Sequence, residues 1–310
     1  MPIKPSPAVL RAIEVLQFLA TGTADRASLS EIARATGLSK ATCHSVLLAL
    51  AEGGYVRRDP SSLGYSLGPM LVSLGALASS SLRLPEVARP EMEALSNSLG
   101  LMTSAAVTVG SHMLVISAVG PSQPFHVSVP VGQMVPFVPP LGAAFAAWAT
   151  PPGIDAWLDR APQSLRRAER QHFLAALAAV REKGYSVTLD DPVRAEFSRA
   201  VKQAASHPES RQAQSRRDAT ITQLGTSYLP VKLEPGRTYR LTQVSAPVFD
   251  QASAVAMVVL VVAVGLELAT EEIAAYGETV RETAARLTAA IGGVVRDGRD
   301  RDAPRTAMRP

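Results

Sequence analysis

The stretch LSKATCHSVLLALAEGGYVRRD, residues 38–59, holds the only cysteine of the chain and ends in paired glycines and paired arginines. Cys43, Val46, Leu47 and Leu50 fall at i, i+3, i+4 and i+7, the spacing of one helix face. The thiol therefore belongs to an apolar stripe and serves as a small hydrophobe, since no acid or second cysteine in the local sequence would activate it. The opposite arc carries Lys40, Ala41, Thr42, His44 and Ser45 behind a capping Ser39. These are short or donor-bearing groups near a helix N-terminus, the end that a recognition helix pushes into the major groove.

The flanking residues extend this reading in both directions. Upstream, Val9, Ile13, Leu16 and Leu19 recur at helical spacing and predict an amphipathic first helix. Ser28 and Glu31, three residues apart, form a capping box for a second helix whose Ile32 and Ala33 face inward. Gly37 stops that helix, and only a short turn separates it from Ser39. Helix, tight glycine turn and helix make a helix-turn-helix. Downstream, Gly53 and Gly54 end the third helix, Tyr55 and Val56 begin a strand, and DPSSLG turns it back as YSLG. That hairpin is a wing with Arg57 and Arg58 at its base, where guanidinium groups would meet phosphates and fix register.

Composition sets the outer bounds. At 310 residues the chain has room for two domains, and 47% apolar residues with 5% aromatic fits packed globular structure. A lone cysteine cannot form an internal disulfide, which points to a reducing, cytoplasmic setting. The start, MPIKPSPAV, lacks a signal-peptide core, and the most apolar run, AVAMVVLVVAVGL at 254–266, reads as a buried β-branched strand rather than a membrane anchor. A net charge of +4 permits nucleic acid without demanding it.

After the wing, GPMLVSLGALASSS at 68–81 is an uncharged helical stretch with no polar face, which calls for a cover and reads as a linker packed against a second copy. Its alternative cover is the chain's own C-terminal domain. An amphipathic helix is predicted over 84–99, ending at Gly100, then strands at 102–109, 112–119 and 125–131. Helices at 140–149 and 166–183, strands at 185–189, 239–248 and 255–265, and a last helix over 270–291 with Ile273, Val280, Leu287 and Ile291 inward complete an α+β sheet domain. A curved sheet of this kind has a concave face where a ligand can sit. Residues 191–238 are polar, mixed in charge and partly helical in pattern, and read as solvated surface or mobile loop. The residues 297–310 are expected to be disordered.

GLSKATCHSVLLALAEGGYVRRDPSSLGYSLGPMLVSLG resembles the winged helix-turn-helix and linker of the IclR-type bacterial transcriptional regulators. HVSVPVGQMVPFVPPLGAAFAAW, REKGYSV and SAPVFD are similar, in the same order, to pieces of that family's effector-binding domain. The resemblance implies a winged helix-turn-helix domain over 1–67, a linker helix over 68–82 and a GAF-like effector domain over 83–296, a curved antiparallel sheet flanked by helices, with 191–238 as an atypical insert. It also implies cytoplasmic homodimers or tetramers that release or grip a palindromic DNA operator when a small metabolite binds. The chain departs from the family at Ser45, where an arginine is frequent, at Pro140 and Ala143, and at Gln243, where a cysteine is frequent.

Candidate ligand contacts follow from the residues themselves. The turn LGAAF opens a helix whose free N–H groups at Leu141, Gly142 and Ala143 could receive an anionic or carbonyl group. Val131, Gly132 and Gln133 lead into it, Gln243 and Ser245 offer polar tips from a strand, and Val259, Val261 or Val264 would form apolar walls. The scarcity of inward charge favours a largely apolar ligand with one or two polar handles. The five histidines form no metal-ligand spacing, and no G-x-S-x-G, Walker or dinucleotide glycine pattern occurs, so no catalytic residue, metal or cofactor is expected. Asp190 and Asp191 precede a proline in a predicted turn, where capping is the expected role. An enzyme or a protein-interaction module with an accessory winged helix remains the alternative.

Overall fold

The computed structural model describes residues 5–20, 26–82, 84–121, 130–206 and 210–295. Near the N-terminus, α1 (Pro7–Ala20), α2 (Leu29–Thr36) and α3 (Lys40–Glu52) enclose a core of Val15, Phe18, Ile32, Ala33, Cys43 and Leu47. Val56 of β1 (Val56–Arg58) and Tyr65 of β2 (Tyr65–Leu67) close it. The Ser28 hydroxyl accepts from the Glu31 N–H while the Glu31 carboxylate accepts from the Ser28 N–H at 2.7 Å, the expected capping box. Gly37 takes φ +65° and ends α2. The first helix faces inward differently from its predicted stripe. Val9 and Ile13 are exposed, Leu16 and Leu19 are half-buried, and Val15 and Phe18 fill the core. Apolar residues occur on more than one side of α1, so spacing alone did not select the buried side.

Cα proximity divides the chain into two compact units. One takes in the residues up to Leu82 together with 196–220, and the other takes in 83–195 and the residues from Ile221 onward. The helix α4 (Met70–Leu82) of the first unit leaves Met70, Val72, Leu74 and Leu77 exposed, Val72 at 76%.

The second unit begins with α5 (Leu84–Leu99), closed by Gly100 as expected, and the antiparallel pair β3 (Met102–Val109) and β4 (His112–Val119). There follow β5 (Met134–Pro136), α6 (Ala143–Ala146), α7 (Pro151–Leu158), α8 (Arg167–Lys183) and β6 (Ser186–Leu189). Beyond α9 (Arg194–Ser206) and α10 (Arg211–Leu224) come β7 (Thr238–Phe249), β8 (Val255–Val262), β9 (Glu267–Ala269) and α11 (Thr270–Ala290). The sheet runs β5-β4-β3-β8-β7-β6, with β9 also on β7, and its neighbours are antiparallel. Met92 and Leu95 of α5 and Ile273, Val280 and Leu287 of α11 share one core with Val244, Ala246, Val259 and Val261 of the sheet. Ile291 stays half-buried beside that core.

The helix predicted over 140–149 is a four-residue turn of helix, because Gly142 enters it at φ +81° and the chain breaks again before Pro151. The segment α7 and the short strands β5 and β9 were not predicted. The last long strand ends at Val262 rather than 265. Residues 191–238 are partly helical as their pattern suggests, holding α9 and α10, but they are not all solvated surface or loop, since Phe197, Ala200, Val201, Ala204 and Ala213 are buried. Of the strand predicted over 125–131, residues 125–129 lie outside the described residues, as does the tail 297–310, and Val131 stands exposed in a turn.

The N-terminal core gives a direct check. Leu47 is fully buried and its neighbour Leu48 is 62% exposed. Leu47→Ala should lower the free energy of unfolding by about 3 kcal/mol, and Leu48→Ala by less than about 0.5 kcal/mol, as measured by urea denaturation.

Candidate functional site

Ser39 opens α3 with extended backbone, φ −62° and ψ 149°, and its hydroxyl accepts from the Thr42 N–H at 3.1 Å. The Thr42 hydroxyl lies 2.9 Å from the Ser39 oxygen, so Thr42 is half-buried within the cap rather than freely displayed. Lys40, Ala41, His44 and Ser45 are exposed on the outward arc. Leu48 completes that arc, one turn beyond His44 and Ser45. Sequence reasoning missed it because a leucine beside the core Leu47 reads as more core. Cys43 has no exposed surface, and burial pushes its thiol pKa up, both of which argue against a reactive role.

The wing is short and pinned. Arg57 pairs with Ser66 and Arg58 with Tyr65, so the two arginines leave opposite faces of the hairpin. Both are exposed, and the Arg58 guanidinium carbon lies 5.6 Å from the Tyr65 ring centroid. At the tip, one Asp59 oxygen accepts from the Ser61 hydroxyl at 2.6 Å, the Ser62 N–H at 2.7 Å and the Ser61 N–H at 3.0 Å. Its other oxygen lies 2.7 Å from Arg26. Backbone bonds in both directions between Ala27 and Tyr65 tie the residues before α2 to the wing.

In the C-terminal unit, strand alternation sorts the predicted ligand residues. Val259 and Val261 point into the core beneath α5 and α11, so they are not ligand walls. Gln243 and Ser245 lie on the opposite face, in register with Val262 and Leu260. The row through Ser245 reads Ser104, Leu260, Ser245, Ser186 across four strands, and the row through Gln243 reads Met102, Val262, Gln243, Thr188. Ser104, Ser186, Thr188 and Ser245 are each buried, and neither row contains a charged side chain. The hydroxyls of β3 and β6 were not singled out from sequence, because nothing local joins residues so far apart in the chain.

Ala144 and Phe145 of α6 cover another part of this face, packing on Ala106 and Val258. Leu141 is buried, its N–H donates to the Val138 carbonyl at 2.7 Å and so is not the free donor expected, and its carbonyl accepts from Trp157 Nε1 at 2.9 Å. A side chain at Gly142 would strike the Phe137 ring at 2.5 Å, so glycine is required there. Ala143 joins a core with Trp157, Phe173 and Leu177. Gly132 and Gln133 bond backbone to backbone with Val115 on β4, and Val131 is exposed. The structure therefore brings Gln243 and Ser245 together, places Leu141–Ala143 at the start of the helix covering their face, and leaves Val131 at its edge. Val264 is buried beyond the end of β8. Asp191 accepts from the Val193 N–H at 2.8 Å, the turn role expected of it, and Asp190 holds Arg194 at 2.7 Å. Among the described residues no group of His, Cys, Asp or Glu could hold a metal, and no helix is long and apolar enough to cross a membrane.

A capped recognition helix beside a basic wing, followed by a separate sheet domain with a sequestered polar face, defines a DNA-binding transcription regulator with an effector domain. The chain belongs to the IclR family. The IclR helix-turn-helix domain matches residues 8–60 and the bacterial transcriptional regulator IclR C-terminal domain matches 76–195, together more than half of the chain. It is 28% identical over 198 residues to the HTH-type transcriptional regulator XynR of Escherichia coli, covering 62% of this chain and 77% of that one. An IclR transcriptional regulator from Alicyclobacillus acidocaldarius shares the fold with a TM-score of 0.66 at 24% identity, covering 93% of this chain and all of that one. An IclR homolog from Microbacterium hydrocarbonoxydans, solved in complex with 4-hydroxybenzoate, matches with a TM-score of 0.59 at 19% identity over 92% of this chain and 99% of that one.

Asp59 supplies a pH test. The Ser61 hydroxyl first, and then the Ser62 N–H, hold its carboxyl well below the usual carboxylate range. A depressed folded pKa stabilises above the unfolded value of about 4 and loses that contribution as pH falls through the folded value. The stability gap between the wild type and Asp59→Ala should therefore be widest above about pH 5 and narrow below about pH 4, read from urea midpoints. A gap that widens on acidification would contradict this account of the wing tip.

Proposed function

We propose that the chain binds a palindromic operator as a homodimer or tetramer and changes its grip when a small, largely apolar metabolite occupies the Gln243–Ser245 face of the sheet. The capped N-terminus of α3 carries the reading, because it presents Lys40, His44 and Ser45 outward with Ala41 between them and Ser39 and Thr42 holding the turn. Leu48 joins them as an apolar contact for a thymine methyl. Arg57 and Arg58 meet phosphates from the two sides of the wing. The uncharged α4, with Val72 and Leu77 exposed in the single chain, is the surface that a second copy covers. Its relatives are named as transcriptional regulators, and we infer a cytoplasmic regulator rather than an enzyme.

The ligand class follows from the rows on the sheet. Ser104, Ser186, Thr188, Ser245 and Gln243 offer neutral hydrogen-bonding groups among Leu260, Val262 and Met102. An apolar body with a hydroxyl or carbonyl handle suits that surface. The 4-hydroxybenzoate held by the Microbacterium homolog makes hydroxylated aromatic acids a sensible first panel.

Two measurements test these assignments. Arg57→Ala should weaken binding to operator and random duplex alike and lower the salt slope by about 1, whereas Ser45→Ala should change which sequence is preferred by about 1–3 kcal/mol at one position. Equal effects of both variants on both duplexes, measured by fluorescence anisotropy across a salt series, would defeat this division. A ligand at 100 times its Kd should stabilise the protein by about 2.7 kcal/mol in thermal denaturation, and Gln243→Trp should abolish the effect. No shift across the panel would remove the ligand reading.

A further inference from the structure

Away from the sheet face, the C-terminal unit holds a cavity of about 350 Å³. Its walls are the Pro139–Pro140 turn, residues 161–166, the start of α8, and the end of α10 with Gly225 and Thr226. The fourth wall lies beyond residue 195, where the match to the family's C-terminal domain ends. The volume falls in the lower part of the range of small-molecule pockets.

The lining has a graded chemistry. Phe173, Ile221, Pro139 and Pro140 are buried and form an apolar floor, while Gln163 and Ser164 are exposed and uncharged at the mouth. Arg166 and Glu169 are the charged lining residues, in contact with each other at 2.6 Å at the solvent side. Glu169 also accepts from the Arg166 N–H at 2.8 Å, which fixes its carboxylate at the N-terminal end of α8. The Arg166 side chain is 83% exposed, so an ionised ligand on the apolar floor would give up its hydration without a buried counter-charge, whereas a neutral one would not.

The cavity is separate from the sheet face. None of its lining residues is among those in the Ser245 and Gln243 rows, and packed aromatics stand behind it. The Phe173 ring meets Trp157 edge to face at 6.0 Å, and Trp157 in turn donates to the Leu141 carbonyl. We propose that this cavity is a second small-molecule site, specific for an uncharged, ring-sized compound carrying one hydroxyl or carbonyl, and the assignment does not rest on the reading of the sheet face.

Phenol and cyclohexanol serve as neutral probes and benzoate as an ionised counterpart, titrated against the full-length protein by ligand-observed NMR. Ala161→Trp and Ser164→Trp narrow the cavity, and Gln243→Trp blocks the sheet face. The expected result is a saturable binding component for the neutral probes that survives in Gln243→Trp and weakens by about tenfold or more in both cavity variants, with benzoate weaker than phenol. If circular dichroism shows Ala161→Trp to be misfolded, the exposed Ser164→Trp decides. Absence of saturable binding, a component lost in Gln243→Trp, one unaffected by the cavity variants, or tighter binding of benzoate would each overturn the proposal.

Discussion

The alternation of side chains along β8 is the constraint on which the C-terminal unit depends. Val259 and Val261 go to the core beneath two helices, while Val258 and Leu260, one residue away, go to the opposite face. A one-residue slip of β8 would exchange the two sets, putting Val258 and Leu260 beneath the helices and Val259 and Val261 beside the hydroxyls of β3, β6 and β7. The slip is resisted from both sides, because β8 is paired with β3 along one edge and with β7 along the other. The bulge at Ala105/Ala106 falls in the β3–β4 pairing, and the one at Val248/Phe249 falls at the start of β8, clear of the pairing from Met257 to Val262.

The N-terminal domain was legible in sequence because its instructions are local. Ser28 and Glu31 act across three residues, Ser39 reaches Thr42, and Gly37 needs only its own missing Cβ to take a positive φ. The sheet face was legible only in part. Gln243 and Ser245 could be picked out as polar tips on a strand, but their partners Ser104 and Ser186 are joined to them by pairing across the sheet, which no short pattern records. The same blindness left open which of Val259, Val261 and Val264 would face a ligand, since β8 carries no polar residue to mark one of its faces.

Helices gave the opposite kind of difficulty. The stripe of α1 was read from spacing, yet Val9 and Ile13 satisfy the spacing as well as Val15 and Phe18 do, and only packing against α2 and α3 distinguishes them. In α9 and α10 the buried Phe197, Val201, Ile221 and Leu224 are few and are joined by small alanines, so the stripe carries little hydrophobic contrast among arginines and glutamines. The helix at 143–146 was overestimated because alanine-rich sequence has high helical propensity, while the backbone around Gly142 and Pro151 sets its limits.

The paired bonds between Ala27 and Tyr65 fasten the wing to the residues that lead into the helix-turn-helix. The reading head then behaves as a stiff stamp, whose relief is set when the domain folds. In the proposed dimer, control becomes a matter of spacing: if two stamps must strike the same side of one duplex in phase, a small change in the distance or angle between them would lift both, with neither surface having changed its contour.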